Sequence, residues 1–230
     1  MHSLTVEDLV AIPLFQSLSD RDAGYLVSRV FRSHHEKDQL LAMEQDWGEC
    51  VFLIYSGIAK VRSYSEQGDE RVFCLLGSGD LFGEMAFLDG QTRSADVVAL
   101  TDISLIKFPG RMLIDLMNNN PEFALAIANL EASRLRDLNR RFSLQNEDAL
   151  TRTLQAIAYI ANKSSGQGMK ECMLLPNIAQ QEIGLFAGLT PETTSRIFKK
   201  LRDRGVIGRR NGSLSILNSA PLHKFGLVAG

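Results

Sequence analysis

The chain has 230 residues, 45% of them hydrophobic and 23% charged, with a formal net charge of −2. That is ordinary globular composition, and the length accommodates two domains. No apolar run approaches the roughly 18 residues a membrane-spanning helix needs, so no membrane contact is expected. The opening "MHSLTVEDLV" lacks the basic-then-apolar pattern of a secretory signal, which predicts a cytoplasmic protein. Three scattered cysteines (Cys50, Cys74 and Cys172) form no C-x-x-C pair and read as structural thiols in a reducing compartment. The net charge hides a split. From residue 151 onward eleven Lys/Arg stand against four Asp/Glu, a balance of +7, which leaves −9 on residues 1–150. A basic end on an acidic front points to a polyanionic partner for the C-terminal part.

The predicted elements follow in chain order. "TVEDLV" opens with a Thr-x-x-Asp cap, and "LSDRDAGYLVSRV" opens with Ser19 or Asp20, so two helices are expected before residue 30. The texture then changes. Glycines fall at 48, 57, 68, 77, 79, 83, 90 and 110, separating "CVFLIYS", "IAKVRSYS", "RVFCLL", "SADVVAL" and "ISLIKF". Short apolar or alternating runs with turns at about ten-residue spacing predict an antiparallel sandwich or barrel. Asn120-Pro121 ends this region, and Pro121 suits the first turn of a helix. From there to about residue 145 no Gly or Pro occurs, which predicts a helix roughly 35 Å long. Ala124, Ala128, Leu135, Leu138 and Phe142 recur along it with heptad-like spacing, interrupted by Glu131. Such a seam lies on its own domain or pairs with a second copy. "NEDALTRTLQAIAYIANK" starts another helix, capped by Asn146 or Asp148, and "SSGQG" is a loop.

The basic end has a recognisable order. Gln180–Phe186 is a short helix with Ile183 inward, and "AGLT" is a tight turn in which Gly188 supplies backbone freedom. Thr190 caps a second helix, with Pro191 and Glu192 in its first two positions and Gly205 ending it. Ile197, Phe198 and Leu201 face its core, while Glu192, Ser195, Arg196, Lys199 and Lys200 share the outer face. Two strands follow around "RRNG", where Asn211-Gly212 is a hairpin turn and Arg209 and Arg210 flank its tip. This is the layout of a winged helix-turn-helix. Arg196 can read guanine O6 and N7 in a major groove, and Glu192 can accept from the cytosine amino group. Lys199, Lys200, Arg209 and Arg210 can neutralise phosphates. A packing module with a merely charged face is the competing reading.

Four stretches together resemble the CRP/FNR family of bacterial transcription regulators. They are "PLFQSLSD" (13–20), "GSGDLFGEMAFLDGQTRSADVVA" (77–99), the long central helix, and "QEIGLFAGLTPETTSRI" (181–197). The resemblance implies an α+β chain in three parts. Residues 1–120 would be an antiparallel β-roll (jelly-roll) cyclic-nucleotide-binding domain, 121–147 a central dimerisation helix and hinge, and 148–230 a winged helix-turn-helix. It also implies a homodimer on a two-fold symmetric double-stranded DNA site, with RNA polymerase as a further partner and no enzymatic activity.

Within that resemblance, "FGEMAFLDGQTRSA" is similar to the phosphate-binding cassette of cyclic-nucleotide domains. Glu84 would accept from the ribose 2′-hydroxyl, Arg93 would contact the cyclic phosphate, and Ser94 would add a hydroxyl donor. Gly83 would let the backbone approach, and the amides of Met85 and Ala86 would face the anion. An empty cassette closed by a Glu84–Arg93 salt bridge is the alternative. So is a same-fold regulator that senses another metabolite or needs no ligand. Cyclic AMP is expected over cyclic GMP on family grounds. At the central-helix positions where cyclic-AMP-responsive members commonly present Thr-Ser to the base, this chain has Leu138 and Asn139, so Asn139 is expected to make the polar contact. Asp38 and Gln45 stand where glycines are frequent in the family, which brings the turn geometry into question. Where relatives often carry an Arg that reads an outer guanine, this chain has Pro191.

Neither the cysteine cluster of the iron–sulfur members nor the Cys/His pair of the haem members has a counterpart here. A metal-dependent cupin enzyme on the same β-fold would need clustered ligands. The four histidines are His2, the adjacent His34 and His35, and His223, and neighbours on one strand point to opposite faces.

Overall fold

The computed structural model describes residues 4–164, 174–210 and 213–226. His2, Cys172, the turn at Asn211-Gly212 and most of the "SSGQG" loop lie outside the described residues. The chain divides into two compact units, residues 1–61 with 76–137, and residues 62–75 with 138–230.

The first unit opens with α1 (Val6–Val10), which the Thr5–Asp8 capping box begins, and α2 (Asp20–Val27), which Ser19 caps. Eight strands follow along the chain: β1 (Phe31–His35), β2 (Leu40–Ala42), β3 (Cys50–Ser56), β4 (Ala59–Tyr64), β5 (Glu70–Leu76), β6 (Leu81–Phe82), β7 (Asp96–Ala99) and β8 (Ile103–Pro109), with β4 from Arg62 onward and β5 up to Leu75 falling in the second unit. They form two four-stranded sheets, in the orders β1-β8-β3-β6 and β2-β7-β4-β5. β8 pairs antiparallel with both β1 and β3, placing Leu53 opposite Ile106 and Val51 opposite Phe108. Alternation then sends Val51, Leu53, Ile106 and Phe108 to one face of this sheet. There they share a core with Leu9, Phe15 and Leu26 of the N-terminal segment and with the helices that follow β8. Ile54, Ile103 and Leu105 carry the other face and are also buried, so the central strands are covered on both sides.

Two departures from the sequence reading belong to this unit. The stretch after β8, expected to be part of the β-region up to residue 120, is a helix, α4 (Gly110–Asn119). Its Met112, Leu113 and Leu116 recur at helical spacing and are buried. Gly110 opens this helix instead of making a hairpin, and its missing side chain leaves room for the Phe87 ring, which would lie 2.0 Å from a Cβ there. The second departure concerns the glycine-like turns. Asp38 and Gln45 adopt positive φ of 68° and 66°. The turns therefore persist without glycine, at a cost of about 1 kcal/mol each. Backbone hydrogen bonds hold them: Asp38 N donates to Ala99 O at 2.8 Å, and Gln45 N donates to Arg93 O at 2.9 Å.

α5 spans Pro121–Ser143. Asn120 starts it, its Oδ1 accepting from Phe123 N at 2.9 Å while its Nδ2 donates to Ser17 O at 3.1 Å. Phe123 and Ile127 face the unit's own core, and the Phe123 ring stacks on Phe15 with centroids 5.6 Å apart. Leu125, Leu135, Leu138 and Phe142 are exposed. The helix thus has two apolar faces, and the predicted seam is the outer one from Leu135 onward.

The second unit contains α6 (Ala149–Ser164), α7 (Gln180–Phe186), α8 (Pro191–Asp203) and the hairpin of β9 (Ile207–Arg210) with β10 (Ser213–Ile216). Asp148 caps α6, accepting from Leu150 N and Thr151 N at 2.8 and 3.1 Å. Leu154, Ile157, Ile160 and Ala161 bury its inner face. β9 and β10 pair antiparallel, with Ser213 opposite Arg210 and Ile216 opposite Ile207. Arg141 fastens the C-terminal part of α5 within this unit. Its guanidinium donates to Val72 O at 3.0 Å, to Phe186 O at 2.9 Å and to Phe73 O, and lies 3.9 Å from the centre of the Phe186 ring.

Candidate functional site

The cassette runs from β6 through the one-turn helix α3 (Met85–Leu88) into β7. Its chemistry converges on two side chains. Arg93 is 8% exposed and Glu84 2% exposed. Arg93 donates to Gly83 O and to Cys50 O, both at 2.5 Å. Its backbone is pinned as well: Arg93 N donates to Asp46 O at 2.9 Å. Glycines make room for the guanidinium. A Cβ on Gly83, whose φ is +84°, would lie 2.0 Å from Nη1, and one on Gly48 would lie 2.1 Å from Nη2. Burial pushes the Arg93 guanidinium below its ordinary pKa, against the attraction of Glu84, Cys50 and Asp46.

Glu84 does not close the cassette on Arg93. Its ion pair is with Arg134 of α5, Nη1 to Oε1 at 2.6 Å. Arg134 also donates to Leu81 O and, at 2.9 Å, to Glu131 Oε1 one turn back on the same helix. The other oxygen of Glu84, Oε2, is buried and accepts from no N–H or O–H. Burial raises the Glu131 carboxyl to about 7; Arg134 opposes the shift, and the neighbouring Glu84 adds to it. Ser94 Oγ points at Met85 Sδ, 3.7 Å away, and both residues are exposed. Gly83, Glu84 and Arg93 are therefore together, with Met85, Ala86 and Ser94 beside them on the same segment. Leu138 and Asn139 belong to the second unit, where they line a cavity of about 940 Å³ with Glu70–Phe73 and Phe186–Thr190.

Arg134, Glu131 and Gly48 were not among the site residues expected from the sequence. The clue was present in the helix. Glu131 breaks the apolar seam, and Arg134 lies three residues on, where the two side chains meet.

In the second unit Thr190 Oγ1 accepts from Thr193 N at 3.3 Å, and Pro191 occupies the first helical position. Ile197, Phe198 and Leu201 are buried, as is Thr194. Thr190, Glu192, Ser195, Arg196, Lys199 and Lys200 are exposed, as are Arg209 and Arg210 on β9. Gly188 has φ +67° in the turn between α7 and α8. The helices pack closely because Gly184 has no side chain; a Cβ there would lie 2.0 Å from Thr194 Oγ1.

Residues 32–120 match the cyclic nucleotide-binding domain family, and residues 150–225 match the Crp-like helix-turn-helix domain. The cyclic AMP receptor protein of Thermus thermophilus is 31% identical over 219 residues, 94% of this chain and 98% of that protein. The chain belongs to the CRP/FNR family of transcription regulators. Its members are not enzymes, and this one joins a cyclic-nucleotide-binding domain to a DNA-binding helix-turn-helix. The cAMP-activated regulator CRP of Haemophilus influenzae is 29% identical over 211 residues, 90% of this chain and 93% of that one. Among solved structures, FixK2 from Bradyrhizobium japonicum matches with a TM-score of 0.74 at 22% identity, covering 87% of this chain and 99% of that one. The c-di-GMP-responsive regulator CLP of Xanthomonas campestris matches with a TM-score of 0.68 at 20% identity, covering 87% and 100%. At those identities the two structures establish the fold. Among the described residues no group of three or more His, Cys, Asp or Glu could hold a metal ion, and no helix is long and apolar enough to cross a membrane. His34 and His35 bond to Ser104 and Ser33 respectively, each within its strand neighbourhood.

The α7–α8 contact yields a test. Gly184→Ala should lower the stability of the C-terminal domain by roughly 1–3 kcal/mol, since the added methyl must push Thr194 out of a packed interface. Urea unfolding followed by circular dichroism should show the lower midpoint; an unchanged midpoint would mean the helices separate without cost.

Proposed function

We propose that this protein is a homodimeric, ligand-controlled transcription regulator whose DNA binding responds to a 3′,5′-cyclic nucleotide, cyclic AMP in preference to cyclic GMP. Residues 1–120 form the sensor, 121–147 the dimerisation helix and hinge, and 148–230 the DNA-binding domain. The observation that carries the reading is the cassette's pairing of a buried carboxylate oxygen that lacks a donor with a guanidinium bonded to backbone carbonyls. Glu84 has a buried oxygen with no donor, which is what a ribose 2′-hydroxyl supplies. Arg93 holds neutral carbonyls in a glycine cradle, and a cyclic phosphate would replace them with a charged acceptor, a bond about twice as strong. Gly83, the amides of Met85 and Ala86, and the Ser94 hydroxyl complete the phosphate contacts. Asn139, from this subunit or its partner, contacts the base beside Leu138.

Control follows from chemistry on α5. A ligand that bonds Glu84 alters the partner of Arg134, and Arg134 sits on the helix that carries the exposed seam. Three residues of that seam, Leu135, Leu138 and Phe142, are 58%, 46% and 71% exposed, which supports a second copy as their cover. On DNA, Glu192 and Arg196 of α8 read the inner G·C pair of each half-site in the major groove. Ser195 adds a hydroxyl contact, and Thr190, Lys199, Lys200, Arg209 and Arg210 meet the backbone. Pro191 offers no donor, so the outer guanine goes unread. RNA polymerase is the downstream partner.

Arg93→Ala should weaken cyclic AMP binding by roughly 1.5–3 kcal/mol or more, and Glu84→Ala should weaken it as well. Titration calorimetry with cyclic AMP and cyclic GMP reads both; wild-type affinity in both variants would move the ligand elsewhere.

Negative charge at Leu135 and Leu138 together should convert the dimer to monomers in a sedimentation experiment. A dimer that survives both changes rules out this face.

For DNA, site selection should return a two-fold symmetric sequence with an inner TGA and a relaxed outer base. Changing the inner G·C pair should cost roughly 1–3 kcal/mol. Arg196→Ala should flatten that preference, whereas Lys199→Ala should weaken all sequences alike and reduce the salt dependence. Recovery of an outer guanine as strong as the inner one would contradict the assignment.

A further inference from the structure

Glu131 has no role in the function described above, yet it is the acidic residue that interrupts the apolar seam of α5. It lies at the cassette. Its Oε1 takes a bond from Arg134 Nη1 at 2.9 Å, and the same nitrogen holds Glu84 Oε1 at 2.6 Å. Two carboxylates thus share one guanidinium, and one of them is Glu84, the residue read as the ribose contact of the nucleotide. We propose that Glu131 sets the affinity of this site for a cyclic nucleotide by taking up a proton as the anionic ligand binds. The inference rests on the reading of the cassette as a cyclic-nucleotide site.

The charge count gives the first argument. Glu84, Glu131, Arg93 and Arg134, all ionised, sum to zero. A cyclic phosphate monoanion brings one further negative charge into a largely buried setting. One proton on Glu131 restores neutrality. Glu131 is the member suited to take it, because Arg134 Nη1 holds Glu84 more closely, at 2.6 against 2.9 Å, and Glu84 must remain an acceptor for the ribose hydroxyl. Hydrogen bonding gives the second argument. With both carboxylates ionised, Glu84 Oε2 is buried without a donor. A proton on Glu131 supplies Glu84 with one, and it is this contact that helps raise the Glu131 carboxyl. A carboxylate oxygen has two lone pairs, so the ribose hydroxyl and the Glu131 proton can both be accepted.

The groups facing Glu131 are Arg134 from its own helix and Glu84 from the cassette. Arg93 faces Glu84 in turn, with Cys50 and Asp46 on its other side. Of these, the Glu131 carboxyl stands at about 7 before any ligand enters. An anion placed beside it, and the water that anion displaces, both favour the neutral acid and raise the value further. The sign follows. Below about 7 the proton is already present and affinity is at its full value. As pH rises past that point the free protein loses the proton while the complex keeps it, so affinity falls. The fall approaches tenfold for each unit by which the bound value exceeds the free one.

The test is titration calorimetry of the intact protein with cyclic AMP between about pH 6 and pH 9, in two buffers of different ionisation enthalpy. Wild type should bind most tightly on the acid side, lose affinity above neutrality, and take up a proton as it binds at about pH 8. Glu131→Gln keeps a side-chain donor for Glu84 but cannot titrate. It should bind with an affinity that does not change over the same range and matches the acid limit of wild type. Side-chain carboxyl resonances of the ligand-free protein should lose one titration step near neutrality in that variant. Binding that is flat with pH and takes up no proton in wild type overturns the role of Glu131 and leaves the cyclic-nucleotide reading intact. A pH slope that survives Glu131→Gln overturns it also, by assigning the proton to another group. Absence of binding by either cyclic nucleotide at any pH removes the cassette reading itself, and the role of Glu131 with it. Should the variant fail to fold, the assigned Glu131 carboxyl resonance of wild type decides the matter: an upward-shifted titration in the complex supports the role, and an unshifted one overturns it.

Discussion

Placing a carboxylate at Glu84, 2% exposed, requires a cation close by, and the chain brings that cation from fifty residues away. Arg134 reaches from α5 to Glu84 Oε1 and to Leu81 O, tying the central helix to β6 and to the start of the cassette. An isolated charge at such a site would cost several kcal/mol, and removing one partner of a buried pair typically costs about 3–5 kcal/mol. The apolar contacts of Phe123 and Ile127 fix the first half of the helix on the same unit. The two kinds of contact divide the work. Packing sets where α5 lies, and the ion pair sets how the helix meets the cassette. A ligand that competes for Glu84 therefore acts on a contact made by α5 itself.

The rest of the cassette is shaped by missing side chains. Arg93 occupies space that a Cβ at Gly48 or Gly83 would fill, and its guanidinium is held by carbonyls that a stronger acceptor can displace. The neighbouring turn reaches the left-handed region with Gln45, not glycine, and exchanges backbone hydrogen bonds with the Arg93 segment. The backbone bond to Arg93 O compensates the unfavourable torsion. A departure from the family's glycine pattern leaves the geometry of the site in place for that reason. The helix-turn-helix uses the same device, with Gly184 letting α7 and α8 approach until Thr194 fills the gap.

The exposed face of α8 differs in kind from the cassette. Glu192, Arg196, Lys199 and Lys200 lie on the helix surface, and their spacing alone places them there. They need no buried partner in the free protein, because water solvates them at the surface. Buried Ile197, Phe198 and Leu201 hold the helix so that this face stays outward. Local sequence and tertiary packing agree throughout this helix, from the Thr190 cap to the left-handed Gly205 beyond its end.

Features set by local periodicity and capping could be read from the sequence by itself. These include the capped helices at Thr5, Ser19 and Thr190, seven of the strands, the glycine-punctuated cassette, and the outward face of α8. So could the Glu84 and Arg93 pairing of residue types, because a contiguous segment carries both. The short strands β1, β2 and β6 and the helix α4 were not legible, since two to five residues, or a helix beginning at a glycine, carry too little pattern without their neighbours. Two outcomes depended on tertiary structure. Glu84 and Arg93 could have neutralised each other; instead Arg134 takes Glu84 and leaves Arg93 on backbone carbonyls. Glu131 read as a flaw in an apolar seam, and folding makes it the second carboxylate on the arginine that holds Glu84. The physical reason is common to both. Charge partners in a folded chain are chosen by distance and burial, and those are fixed only when segments fifty residues apart are packed against one another.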